Sequence, residues 1–180
     1  MAGWNGYVDN LMSDGQCQDA AIVGYTDSKY VWASVPGGAL SAITPTEIDV
    51  FVGKDRQSFF TNGMVLGGKK CSVIRDNLFE AECTMDVRTK SAAKETTYNI
   101  TIAKADSTLV VVMGKGGVHG GVLNKKAFTM ATYLRNSGYE ASPRPPSNSL
   151  TLTAQSHWPC YQTVAGRFFF NYPFLLLIFS

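Results

Sequence analysis

The chain has 180 residues, 45% of them hydrophobic and 17% charged, which is enough for one domain with a real core and ordinary for a globular protein. A net charge of +2 is too weak to argue for nucleic acid as a partner. Cys17, Cys71, Cys83 and Cys160 form no CxxC pair, so free thiols in a reducing cytosol are expected rather than a zinc site or a redox dithiol.

No apolar run follows basic residues at the start, so no secretory signal is expected. Trp4, Tyr7, Val8, Leu11 and Met12 recur at i, i+3, i+4, which predicts an amphipathic helix stopped by Gly15. AAIVGY (20–25) and YVWASV (30–35) read as strands joined by the turn Thr26-Asp27-Ser28-Lys29. Thr44-Pro45-Thr46-Glu47 predicts a helix start. Thr44 caps, Pro45 suits the first turn, and Glu47 reaches back to complete a capping box. That helix should end near Gly53. Strands are predicted at 64–66, 70–76, 84–89, 97–103 and 108–113, with short turns that favour an antiparallel meander. A last helix is predicted from about Leu123 to Arg135, with Gly138 just past its end. No internal repeat is visible. The order implies an α+β fold with helices covering a central sheet.

After Tyr139 the composition changes. Residues 140–180 carry Glu140, Arg144 and Arg167 as their charges. They open with the Pro/Ser stretch ASPRPPSNS, which reads as a linker. They close with RFFFNYPFLLLIFS, shorter than the roughly 20 residues that span a bilayer and interrupted by Pro173. Residues 1–139 are therefore read as the domain and 140–180 as a poorly ordered extension. The extension is a passenger, a ligand crowding the surface it leaves, or an apolar segment that docks on the domain or on lipid.

Several constellations carry chemistry. Trp4, Tyr7, Trp32, Tyr133, Leu134 and Tyr139 line one groove if the terminal helices lie side by side. Indole and phenol donors would then meet the carbonyls of a proline-rich ligand, which lacks N–H donors of its own. Alternatively these residues simply pack the helices together. GGKKCSVIRD (67–76) is a solvated strand face or an edge offering Lys70 and Arg75 to an acidic partner. MGKGGVHGGVLNKK (113–126) lacks the GxxxxGK[ST] spacing of a phosphate loop. Its glycines instead suit a close backbone approach, and His119 has no neighbour in sequence that would make it catalytic. Lys70, Arg75, Arg88, Lys90, Lys125, Lys126 and Arg135 are either solubility charges or a site for acidic protein or phosphoinositide headgroups. No metal site and no cofactor is expected.

MAGW, DNLM, DAAIVGY, ITPTEID, VGKDR, FFTNG, KKCSVIRD, TMDVRTKS, GVHGG and LNKK, in that order over Met1 to Tyr139, resemble the profilin family, closely the vertebrate type. The resemblance implies a non-catalytic, monomeric protein of the cytoplasm and cytoskeleton, with an antiparallel sheet between helices. It implies a poly-proline groove at Trp4, Tyr7, Trp32, Tyr133, Leu134 and Tyr139; some members carry histidine where Tyr133 stands. It implies a face for monomeric actin at Thr61, Lys70, Ser72, Val73, Ile74, Arg75, Glu82, Arg88, Lys90, Thr97, Asn99, Val118, His119, Gly121, Asn124, Lys125, Phe128 and Thr129. Thr129 replaces an acid found in some members, and Thr61 an aliphatic residue. Phosphoinositide binding is implied at Lys70, Arg88, Lys125 and Arg135. The implied function is control of actin polymerisation: blocking nucleation, speeding nucleotide exchange, and delivering actin to formin-like, proline-rich elongation factors. A lipid-surface protein acting through its basic residues and apolar tail is the alternative.

Overall fold

The computed structural model describes residues 3–90 and 96–137. Helix α1 (Asn5–Met12) comes first, and β1 (Cys17–Gly24) and β2 (Val31–Ser34) follow. A 3-10 turn (Ala39–Ala42), α2 (Pro45–Phe51) and α3 (Ser58–Asn62) lead to β3 (Met64–Leu66) and β4 (Lys69–Asn77). Then come β5 (Thr84–Thr89), β6 (Asn99–Lys104), β7 (Thr108–Gly114) and α4 (Gly120–Asn136). The strands form one seven-stranded sheet in the order β2-β1-β7-β6-β5-β4-β3. Every pairing is antiparallel. β3 to β7 form the predicted meander, and β1 closes onto β7.

The strand period of 2 divides the apolar residues between the faces. On one face Val23, Met85, Val87, Ile100 and Val111 pack with Leu40, Ile48, Phe51 and Phe59 from the 3-10 turn, α2 and α3. On the other, Ala20, Ile22, Val110 and Val112 pack with Val8 and Leu11 of α1 and with Leu123, Ala127, Met130, Ala131 and Leu134 of α4. The two terminal helices thus share one layer, and the shorter helices share the other.

The capping box at Thr44 forms as predicted. Glu47 N–H donates to Thr44 Oγ1, and Thr44 N–H donates to Glu47 Oε2 at 2.9 Å. The α2–α3 layer is pinned to the meander by Arg56, whose guanidinium makes a two-pronged contact with Asp76 at 2.7 and 2.6 Å. Such paired charge-assisted bonds fix orientation as well as distance.

Several sequence expectations shift, and β1 begins at Cys17 rather than at residue 20. The 3-10 turn and α3 were not expected. α3 is only five residues long and its Gln57 makes no side-chain cap bond; its start is held by Asp55, whose Oδ1 accepts from Ser58 N–H at 3.4 Å. Strand 97–103 begins at Asn99. Helix α4 begins earlier than Leu123, because His119 is its N-cap and its Nδ1 accepts from Gly121 N–H at 3.1 Å. Gly138 and the extension 140–180 lie outside the described residues.

Candidate functional site

The first site is a stripe of rings where α1, β2 and α4 meet. Trp4 lies 5.6 Å from Tyr7 and 5.0 Å from Trp32, centroid to centroid. Tyr7 lies 6.2 Å from Tyr133. All the pairs are tilted, within the range that aromatic pairs favour. Trp4, Tyr7 and Trp32 are half-buried, and Tyr133 is 55% exposed. At its Tyr7–Tyr133 end the stripe borders a groove of about 880 Å³ between α1 and α4, lined also by Gly6, Asn10, Lys125 and Thr129 but not by Trp4 or Trp32.

Two of the predicted details are placed more closely. Leu134 is 3% exposed and belongs to the core beneath α4, against which Trp4, Tyr7 and Trp32 pack. One residue on from Tyr133 turns about 100° around the helix, which points Leu134 inward. Trp32 offers its ring face rather than its donor, because its Nε1–H donates to Ser28 O at 3.3 Å. The lack of a side chain at Gly24 permits this, since an added Cβ would meet that indole nitrogen at 2.5 Å. Tyr139 lies outside the described residues.

The sequence reading missed Tyr30. Its ring lies 6.4 Å from Trp32 and is 57% exposed, so the stripe continues beyond β2. The i, i+2 spacing of Tyr30 and Trp32 on an extended segment was the available signal.

The second site is the sheet face that α4 leaves uncovered. Ser72 pairs with Arg88, which pairs with Asn99, so these three project from the same face. The register of β4 shifts between Val73 and Arg75, where the two residues Ile74 and Arg75 oppose Asp86. This bulge leaves Ile74 62% exposed and returns Arg75 to the face shared with Asp86 and Thr101. Bulges re-aim side chains in this way.

Asp86 is the hub. It accepts from Thr101 Oγ1 at 2.7 Å and from Asn124 Nδ2 of α4 at 3.1 Å, and it pairs with Arg75 at 3.0 Å. Arg75 also reaches Glu82 at 3.0 Å. Arg88 Nε donates to Thr97 Oγ1 at 3.0 Å, and Asn99 Nδ2 donates to Val118 O at 2.8 Å. These bonds make three local groups, one around Asp86 with Arg75, Glu82 and Asn124, one of Arg88 with Thr97 and one of Asn99 with Val118, which strand pairing sets side by side on one polar face. His119, Gly121, Lys125, Phe128 and Thr129 extend it along α4, exposed. Lys70 and Lys90 are exposed at the β4–β5 end, where Lys90 N–H donates to Lys70 O at 2.7 Å. Asp86 and Thr101 were not singled out from sequence; the alternation in TMDVRT marked Asp86 as an outward position.

Other predicted members are not brought together. Val73 is 8% exposed and packs into the opposite core with Val87 and Ile100. Thr61 is exposed on α3, whose Phe59 belongs to that same opposite layer. Lys126 is not a free surface charge, because it pairs with Asp14 and donates to Leu11 O at 2.8 Å, bracing α4 against α1. The Lys126 ammonium correspondingly holds the Asp14 carboxyl below its usual value. Of the basic residues Lys70, Arg88, Lys125 and Arg135, the last two lie on α4, separated by about 15 Å of helical rise. Arg135 is occupied by Thr132 Oγ1 at 3.1 Å and by the Phe128 ring at 5.9 Å.

Among the described residues, no group of His, Cys, Asp or Glu is arranged to hold a metal ion, and no helix is long and apolar enough to cross a membrane. Burial pushes the Cys71 thiol up to about 11, which disfavours the reactive thiolate.

The family model for profilin matches residues 2–139. The chain belongs to the profilin family. Rat Profilin-2 is 66% identical over 140 residues, which is 77% of this chain and 100% of that protein. Two solved profilins share the fold. Mouse Profilin IIa, in complex with a double repeat from the FH1 domain of mDia1, has a TM-score of 0.75 at 65% identity and covers 77% of this chain and 100% of its own. Human profilin II has a TM-score of 0.73 at 64% identity, covering 74% of this chain and 99% of its own. The resemblance read from the ordered motifs is therefore correct. The profilin fold is the seven-stranded sheet between two helical layers described above.

Proposed function

We propose that the chain binds monomeric actin through the polar sheet face and proline-rich segments through the aromatic stripe, and thereby controls actin polymerisation without catalysing a reaction. The observation that carries this reading is the stripe itself. Ring contacts running from Tyr133 through Tyr7 and Trp4 to Trp32 make a surface for an extended ligand. A polyproline II segment already holds its bound shape, so it loses little entropy on docking. The mouse relative at 65% identity was solved with FH1 repeats, which supports a formin-type partner here. A polar surface beside α4, which meets the stripe only along the groove at Lys125 and Thr129, suits a protein partner held at the same time. Holding both ligands raises the local concentration of actin near a filament end. The cytoplasm and cytoskeleton are the corresponding location. Phosphoinositide headgroups would meet Lys70 and Arg88 on the actin face and so compete with actin there.

Paired variants test the two faces. Trp4→Ala should weaken proline-decamer binding by about tenfold or more, as loss of a central aromatic anchor does, and leave actin-monomer pull-down unchanged. Arg75→Ala should weaken actin pull-down and leave the decamer titration unchanged. A single substitution that abolished both in a folded protein would overturn the two-face reading.

A further inference from the structure

We propose that the aromatic stripe is the docking site of the chain's own Pro143-Arg144-Pro145-Pro146 segment, brought back from the end of α4, so that the protein shields its proline groove. The proposal rests on the reading of the stripe as a proline-binding groove. The first observation behind it is where the chain leaves the fold. Tyr133 stands in the last turn of α4, and Ser137 closes that turn, its N–H and Oγ both donating to Tyr133 O at 3.0 and 2.8 Å. The chain therefore departs within one helical turn of the stripe's own wall.

The second observation is reach. Pro143 follows Ser137 with five residues between them, and the six Cα–Cα steps, when extended, span up to about 20 Å. The stripe advances by ring separations of only 5.0 to 6.2 Å. Gly138 stands at the start of the connection and permits the reversal of direction that docking requires.

The third is chemistry. Pro143, Pro145 and Pro146 have no N–H to leave unpaired against the rings. Arg144 brings a guanidinium that stacks on aromatic faces. The match to rat Profilin-2 accounts for 100% of that protein but 77% of this chain. The segment is thus a feature that this chain adds to a groove it shares with its family. A segment too weak to bind as a free peptide competes well when a short tether holds it at an effective concentration on the order of 1 mM.

The test is a tryptophan-fluorescence titration with a proline decamer on three proteins. These are the full chain, the full chain carrying Pro143→Ala, Pro145→Ala and Pro146→Ala together, and a chain ending at Tyr139. The last retains the whole family match, and solved relatives of that extent fold by themselves. Both altered forms should bind the decamer about threefold or more tightly than the full chain, from an effective concentration comparable with the segment's own Kd. The gain should not depend on protein concentration. Equal binding by all three would overturn self-docking and leave the groove reading intact. A gain from truncation but not from the proline substitutions would also overturn it, assigning the cover to another part of the extension. A gain that grows with protein concentration would overturn it in favour of a second copy. No binding by any form would overturn the groove reading itself.

Discussion

The aromatic stripe and the polar sheet face are built in opposite ways. The stripe joins residues far apart in sequence, from α1, β2 and α4, and rests on an apolar layer that includes Val8, Leu11, Ala33 and Leu134. The sheet face joins neighbouring strands and is locked by charge and hydrogen bonds around Asp86. The stripe's position is therefore an outcome of core packing. The sheet face's detail is an outcome of directional polar contacts laid on a register that β5 and β6 already impose. One surface should fail with the core, and the other should be tunable while the core stands.

The largest effect that would break this contrast is expected at Leu134. Leu134→Ala should cost about 2–5 kcal/mol, the range for truncating a buried leucine, seen as a lower urea midpoint. Unchanged stability would mean that Leu134 is not a core residue and that the stripe does not depend on the layer beneath it. A smaller effect is expected at Asn124, whose amide donates to Asp86 and to Thr84 Oγ1 at 3.2 Å. Asn124→Ala should cost about 1 kcal/mol and weaken actin pull-down, while the decamer titration stays as it was. A loss of decamer binding would show that the two surfaces are coupled through α4.

The smallest effect lies outside both surfaces. Asp19 is buried on β1, where its Oδ2 accepts from Leu40 N–H at 2.8 Å and its Oδ1 has no partner among the described residues. Burial raises its carboxyl above the ordinary 3.8. The folded state thus retains a proton that the unfolded chain releases. This contribution to stability is complete below the ordinary value and is lost as pH rises through the raised one. Asp19→Asn should flatten the dependence of the urea midpoint on pH across that window. A slope equal to that of the unaltered protein would assign the titration to another group.

Much of this was legible where side chains act locally. Thr44, Pro45 and Glu47 announce α2 because a capping box needs only neighbouring residues. The bounds of β3 and β5 follow from alternation. The aromatic residue types in the stripe also announce themselves, although their adjacency depends on α1 meeting α4. What escaped depends on tertiary context. α3 is too short at five residues to show a helical period, although Asp55 caps it, and His119 is not among the residues that commonly begin a helix. The bulge at Ile74 comes from pairing with β5, which residues 67–76 alone do not encode. Leu134 was recoverable. Leu123, Ala127, Met130, Ala131 and Leu134 form the i, i+4, i+7, i+8, i+11 stripe of a buried helix face, with Tyr133 one position off it.

Glu47 does more than begin a helix. Besides Thr44 N–H, its carboxylate accepts from Gly67 N–H at 3.2 Å and Gly68 N–H at 3.1 Å, in the turn between β3 and β4. Both glycines adopt positive φ, at 56° and 73°. One acid thus clamps a helix start to a hairpin turn twenty residues away in sequence. In amide hydrogen exchange, Thr44, Gly67 and Gly68 should open together as one cooperative unit, and Glu47→Gln should release all three at once.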